Sequence, residues 1–355
     1  MSVSFEINAS AGAYQVVIGN DGAAQTAFDI RIVDAALPAL WPRLARPDNI
    51  EIPATEETKT LETVAQVIEK MRDRGANRAT RMAAFGGGII QDVSTFCAST
   101  YMRGVQWTYY PTTLLGMVDS CIGGKSSINV GQYKNIAGNY YPPQKVIIDP
   151  RFCSTLERSD TTAGLCEAVK ICFASRDTAF DRYLALVGST GMPHHGDLAP
   201  VIELSLRTKK VFIEEDEFDQ GPRLLLNFGH TFGHALEAAS QFEIGHGVAV
   251  GLGMLLAIKV SLALKLSDRG NPRAAALAAQ VRALLAQVPQ LGEKLGRVSS
   301  ALALKKFKSD KKHRNGEYAM ILIDGDGYLR RHFVVADSVA DTLLLAAFDD
   351  IKDFS

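Results

Sequence analysis

Residues Arg81–Thr100, RMAAFGGGIIQDVSTFCAST, place a short apolar run, three consecutive glycines and a helix-compatible run end to end. Arg81–Phe85 reads as a buried strand, Gly86, Gly87 and Gly88 as a tight exit, and the rest as a helix to about Thr100. Such an exit lets backbone N–H groups approach a pyrophosphate at the positive end of a helix. GGGIIQD is not the usual G-x-G-x-x-G, so taken alone it reads as a tight turn as often as a cofactor loop. Outward from it, Tyr14–Gly19, Asp29–Asp34, Asn49–Ile52, Val105–Tyr110 and Lys145–Asp149 read as strands. Thr58–Arg74 carries Leu61, Val64, Val67, Ile68 and Met71 on one helical face. Strands alternating with helices predict a mostly parallel α/β domain over residues 1–150, with Pro150 as the boundary. Residues 151–355 then form a mainly α-helical second domain.

The chain's 355 residues suit two such domains. A net charge of −1, from 38 basic and 39 acidic residues, argues against a nucleic-acid partner. The longest apolar run, Val248–Ile258, stops at Lys259, short of a membrane span. The start, MSVSFEINAS, lacks the pattern of an export signal, which makes a cytoplasmic location the expectation. Cys97, Cys121, Cys153, Cys166 and Cys172 read as reduced packing residues without a C-x-x-C pair.

In the second domain, Arg223–His246 (RLLLNFGHTFGHALEAASQFEIGH) reads as a helix from near Asn227, then a glycine-bounded turn delivering His246. His230 and His234 lie four apart on one face, with Asn227 a turn earlier. Single histidines of this kind are commonly helix-surface or satisfied core residues. Three of seven within this short span instead point to metal ligation by a helix histidine and a later one, with an acid still required. Ala163–Ala174 is apolar around its circumference except for Glu167 and Lys170, three apart. A buried carboxylate needs a cation, so the pair is either an internal salt bridge or one metal ligand with a neighbour.

Two polar stretches stay open on composition. Asp119–Asn135, with Lys125, Asn129 and Lys134 around Gly123 and Gly124, is a phosphate-handling loop or a solvated one. Phe307–Tyr318, with Lys308, Lys311, Lys312, His313 and Arg314, is a solvated turn unless the substrate is anionic. It precedes a hairpin-like pair, Ala319–Ile323 and Arg331–Val335. Pro272–Gln287 reads as a structural surface helix.

Taken together and in order, GGGIIQD, STYMRG, YPTTLLGMVDS, GGKSSIN, KN, GLCEAVK, LNFGHTFGHALE and GHG resemble the dehydroquinate synthases and the wider sugar phosphate cyclases. The resemblance implies a divalent ion, zinc or cobalt, on Glu167, His230 and His246. It implies NAD contacts at Asp34, Glu56, Lys59, Gly87, Gly88, Asp92, Thr112, Thr113, Asp119, Lys125, Lys134, Phe152 and Thr155. It implies substrate contacts at Asn135, Lys170, Lys209, Arg223, Asn227, His234 and one of Lys311 or Lys312. Arg103 resembles an arginine that reaches the neighbouring subunit's substrate, which implies a homodimer acting on an anionic sugar phosphate.

The chemistry so implied is oxidation of a metal-polarised hydroxyl by NAD, phosphate elimination, return of the hydride, ring opening and aldol closure. Lys209, Arg223 and Asn227 match the carboxylate and phosphate partners of a 2-keto acid sugar phosphate, which favours dehydroquinate formation in the shikimate pathway. Val248 stands where the family usually has an acid, and SSIN replaces the commoner T-G-I-N. A sedoheptulose 7-phosphate cyclase of a secondary pathway is therefore the alternative. A zinc-dependent polyol dehydrogenase shares the architecture, but would not need Lys125, Lys170, Lys209 and Arg223.

Overall fold

The computed structural model describes residues 2–19, 27–131 and 133–353, and these form two compact units. The first comprises 1–156 with 210–217, and the second 157–209 with 218–355. The division thus falls six residues beyond Pro150, and a piece of a later helix joins the first unit.

In the first unit the strands are β1 (Val3–Ile7), β2 (Tyr14–Ile18), β3 (Ile30–Asp34), β4 (Asn49–Ile52), β5 (Arg81–Gly86), β6 (Gln106–Pro111), β7 (Ile128–Val130), β8 (Tyr133–Ala137) and β9 (Lys145–Ile148). Seven of them make one sheet in the order β1-β2-β9-β6-β5-β3-β4. Only β1 and β2 pair antiparallel; every other pairing in that sheet is parallel. The apolar runs are explained by burial on both faces, as in Ala83, Ala84 and Phe85. Sequence periodicity passed over β1, whose half-exposed alternation is that of an edge strand.

The helices here are α1 (Leu37–Leu40), α2 (Leu61–Asp73) and α3 (Gly88–Thr100). Helix α2 starts three residues later than periodicity suggests, because the Thr60 side chain accepts from the Thr63 N–H and caps it. Val64, Val67 and Met71 are its buried stripe. Asp119–Asn135 is more ordered than its composition indicates. A π-helical turn spans Gly116–Ser120, and β7 and β8 pair as a short antiparallel hairpin. Glycine and polar content masked that hairpin.

The second unit holds α4 (Arg158–Ala174), α5 (Ala179–Val187), most of α6 (Ala199–Glu215), α7 (His230–Ala239), α8 (His246–Ala263), α9 (Pro272–Leu285), α10 (Leu291–Gly296), α11 (Ser300–Lys308) and α12 (Ser338–Asp350). The hairpin β10 (Glu317–Ile323) and β11 (Leu329–Val335) packs on α8. Helix α9 is less superficial than its alanines suggest, since Leu277, Val281, Leu284 and Leu285 are buried.

Two expectations are corrected. Asn227 ends a 3-10 turn, Pro222–Asn227, and Gly229 at φ 76° breaks the chain before α7 starts at His230. Asn227 is therefore not on the histidine face. His246 comes not from a turn but as the first residue of α8. That helix is 18 residues long with mean hydropathy 1.7, enough to cross a membrane by length and composition, yet 72% of it is buried inside the protein. Its glycines explain the burial. A Cβ on Gly253 would lie 2.0 Å from the Gly229 oxygen, and one on Gly247 would lie 2.5 Å from the Ala163 oxygen. Helix α8 thus touches both α7 and α4 at backbone distance.

Candidate metal centre and its lysine-rich surroundings

Close contact of α4, α7 and α8 brings together one acid and two imidazoles. Glu167 is fully buried in α4, and its Oε1 lies 3.8 Å from His230 Nε2 and 3.6 Å from His246 Nε2. Among the described residues neither carboxylate oxygen has a hydrogen-bond partner; the Lys170 ammonium forms an ion pair with Oε2 without hydrogen-bond geometry. Tetrahedral ligands at about 2 Å from a common zinc ion would stand about 3.4 Å apart. The donor set and its spacing therefore fit a divalent cation, and the bare Oε1 is the atom such a cation would satisfy.

The outer ring nitrogens are both engaged. His230 Nδ1 is 3.2 Å from the Phe228 carbonyl oxygen, and His246 Nδ1 is 3.2 Å from Glu237 Oε2. Both acceptors select the Nδ1–H tautomer and leave Nε2 as a lone-pair donor. Desolvation, with Lys170 and the neighbouring histidines adding to it, holds His230 well below its ordinary pKa and hence neutral. Desolvation also opposes protonation of His246, but the Glu237 hydrogen bond and the Glu167 charge outweigh it and raise its pKa.

His234 is a fourth member, its ring centroid 5.3 Å from that of His230 and 5.4 Å from that of His246. The three histidines have ring nitrogens within 4.8 Å of one another. His234 is exposed, whereas Glu167 is fully buried. Desolvation, then His246 and Lys312, lower the His234 pKa.

The paired lysines differ in their surroundings: Lys312 is the one beside the histidines. It is partly buried and interacts electrostatically with His230, His234 and Lys170, while Lys311 is exposed. Desolvation lowers the Lys312 pKa, against the opposing pull of Asp310 and Asp219. His313 does not belong to the cationic run. Its Nδ1 accepts from the Ala319 N–H at 3.1 Å and its Nε2 donates to the Phe307 oxygen at 2.9 Å, which requires the neutral ring. Lys209 and Arg223 are buried, at 6% and 3% exposure, and the turn carrying Arg223 packs on α4. The Asn227 amide donates to the Leu224 oxygen.

The first unit gathers a second polar cluster. The Lys59 ammonium, 6% exposed, contacts Asp92 Oδ2 at 3.1 Å, Asn135 Oδ1 at 2.6 Å and Glu56 Oε1 at 3.8 Å. Lys134 lies 3.9 Å from that same Glu56 oxygen. Ser127 bridges Asp92 and Asn135, and Asn129 donates to Glu56. Ser127 was not distinguished in sequence, since a serine in a polar hairpin carries no periodic signal.

Gly87 caps α3 with no side chain, its would-be Cβ 2.9 Å from Thr113 Cγ2, while the space at Gly88 is open. Thr112 donates its N–H to the Gly86 oxygen. Asp34 ends β3, accepts from the Ala36 N–H, and has its pKa raised by desolvation. Phe152 packs edge-on against Trp41, whose indole N–H reaches Thr155 at 3.4 Å; sequence reading assigned Trp41 no role. Asp119 lies in the π-helical turn, and Lys125 bridges to Tyr140. Arg103 is exposed at φ 68°, following Met102 at φ 51°.

A parallel sheet with a glycine-opened helix, followed by a helical unit carrying one acid and two histidines at metal-ligand spacing, defines a two-unit metalloenzyme class. The N-terminal model of 3-dehydroquinate synthase matches residues 49–163, and the C-terminal model matches 164–313. The chain belongs to the 3-dehydroquinate synthase family. A 3-dehydroquinate synthase of Sulfolobus acidocaldarius is 36% identical over 75% of this chain and 74% of its own length. Among solved structures, a 2-deoxy-scyllo-inosose synthase covering 98% of this chain and all of its own has a TM-score of 0.83 at 24% identity, a likeness of fold. The 2-epi-5-epi-valiolone synthase of Streptomyces hygroscopicus, solved with NAD+ and Zn2+, has a TM-score of 0.77 at 26% identity and covers 95% of this chain and 96% of its own.

Proposed function

We propose that this chain is an NAD- and metal-dependent 3-dehydroquinate synthase that acts in the cytoplasm as a homodimer. It converts 3-deoxy-D-arabino-heptulosonate 7-phosphate to 3-dehydroquinate and phosphate. The observation that carries the reading is the bare, buried Glu167 Oε1 facing two tautomer-fixed Nε2 atoms, with Lys170 and Lys312 coupled to the same cluster.

Glu167, His230 and His246 would hold zinc or cobalt, and Gly87, Gly88, Asp92, Lys59 and the remaining cofactor positions would hold NAD. Bound, these groups supply a Lewis acid and a reversible hydride acceptor. The protein does the rest. Lys209, Arg223, Lys170 and Lys312 bind the carboxylate and phosphate as fixed counter-charges and Asn227 and Asn135 add neutral hydrogen bonds, the phosphate contact completed by the partner subunit's Arg103. His234, exposed and held toward its neutral form, accepts or returns a proton at the substrate hydroxyl.

Glycerol-type oxidation would leave reduced cofactor behind, whereas a cyclase returns its hydride. The purified protein with NAD and zinc is incubated with heptulosonate phosphate or sedoheptulose 7-phosphate. Phosphate release from the first, with no net gain of reduced cofactor, is expected. Release from the second alone would assign the secondary-pathway cyclase, the alternative raised by Val248 and SSIN.

A further inference from the structure

Glu237 lies seven residues beyond His230 and three beyond His234, so all three occupy one face of α7. Its carboxylate reaches across to His246 at the start of α8, with Oε2 3.2 Å from Nδ1. The two ligand histidines are therefore oriented by different means. His230 leans on a main-chain carbonyl that no substitution removes, and its side chain is 13% exposed. His246 is 38% exposed and depends on a side chain.

We propose that Glu237 is the positioning residue for His246: by accepting the Nδ1–H it fixes the tautomer and ring plane that aim Nε2 at Glu167 Oε1, and thereby sets the affinity of the site for a divalent cation. This rests on the reading that Glu167, His230 and His246 are the ligands. Electrostatics point the same way. His246 sits at the positive end of an 18-residue helix, and Lys170 and Lys312 add two cations to the cluster. A divalent ion would join that accumulation with Glu167 as its nearest anion. Glu237 contributes a second negative charge one imidazole away, where it raises the donor strength of Nε2 without occupying a coordination position.

The test uses the full chain. Zn2+ affinity is measured by competition with a chromophoric chelator, and the visible spectrum of the Co2+ form reports ligand geometry. Glu237→Ala is expected to weaken Zn2+ binding about 10- to 100-fold and to alter the Co2+ bands. Glu237→Gln keeps shape and a neutral acceptor, so it should fall between Ala and wild type; it also serves should the Ala variant not fold. Wild-type affinity and spectrum in either folded variant overturns the proposal. Glu167→Ala and His246→Ala separate the two layers. If they lose the metal while the Glu237 variants keep it, only the role of Glu237 fails. If they also bind as wild type, the ligand assignment itself fails.

Discussion

Glu167 and Lys170 were legible because they are the charged side chains of an otherwise apolar helix segment, and such a segment has to be buried. What the sequence left open was whether they merely neutralise each other. The structure answers with two oxygens of one carboxylate in two directions, Oε2 toward Lys170 and Oε1 toward the imidazoles. Glu167→Ala should therefore abolish metal retention and phosphate release. It should also destabilise the metal-free protein by roughly 3–5 kcal/mol, because a buried ammonium loses its counter-charge. Replacing both residues by methionine should cost distinctly less, as urea unfolding of the metal-free variants would show; equal costs would place the Lys170 charge in water. His313 makes the opposite lesson. Five cationic-type letters within the seven residues 308–314 read as one basic knot, yet backbone partners on both ring nitrogens withdraw His313 from it. Desolvation lowers its folded pKa against the pull of Asp310. A depressed histidine contributes stability that is whole above the unfolded value, about 6.5, and is lost as pH falls through the folded value. The unfolding free-energy gap between wild type and His313→Gln should hence narrow as pH drops below about 6.5; a gap independent of pH between 7 and about 4.5 would contradict the neutral lock.

At the level of helices and strands, periodicity served wherever an element has one buried face and failed where glycine or polar content overrides it. Helix α2 was visible from five apolar positions. Asn227 was misplaced because nothing in LNFGH announces that Gly229 leaves the helical region, although its φ of 76° does. Hairpin β7–β8 was hidden because two of its strand positions are asparagines engaged in side-chain hydrogen bonds, Asn129 to Glu56 and Asn135 to Lys59. The glycines of α8 had no packing role in the sequence reading, and they are what lets α8 approach α7 and α4 at backbone distance. Gly253 is the sharpest case. A methyl there would sit 2.0 Å from the Gly229 oxygen and 2.7 Å from the Gly233 nitrogen, and no rotamer relieves a clash with backbone. Gly253→Ala should lower stability by about 1–3 kcal/mol or more. It should also weaken Zn2+ binding, because α7 can yield only by carrying His230 away from His246. Thermal unfolding and chelator competition test both; a destabilised protein with wild-type metal affinity would show that the ligands do not depend on this approach.

For the molecule as a whole, the alternation of the first 150 residues and the helical texture of the rest anticipated two units, and the family resemblance rests on motifs from both. The contribution of residues 210–217 to the first unit was out of reach, since α6 is continuous in sequence and only its tertiary partners, such as Glu214 accepting from Asn8, reveal the exchange. Equally out of reach from one chain is whether a site is complete within it. Arg103 bears on that. Two successive non-glycine residues, Met102 and Arg103, hold positive φ and present an exposed arginine ahead of Gly104. Such backbone strain is retained where the surroundings or a function demand it. If Arg103 serves the partner's substrate, Arg103→Ala and Glu167→Ala damage different halves of each site. Either variant alone should be nearly inactive. After the two are mixed, unfolded and refolded together, half of the dimers are mixed. Each of those has one site with an intact Glu167 and an intact Arg103 from the other subunit, so about a quarter of wild-type phosphate release should return. Activity no greater than the sum of the two variants, with mixed dimers verified by differential tagging, would place Arg103 in its own subunit's site or outside catalysis.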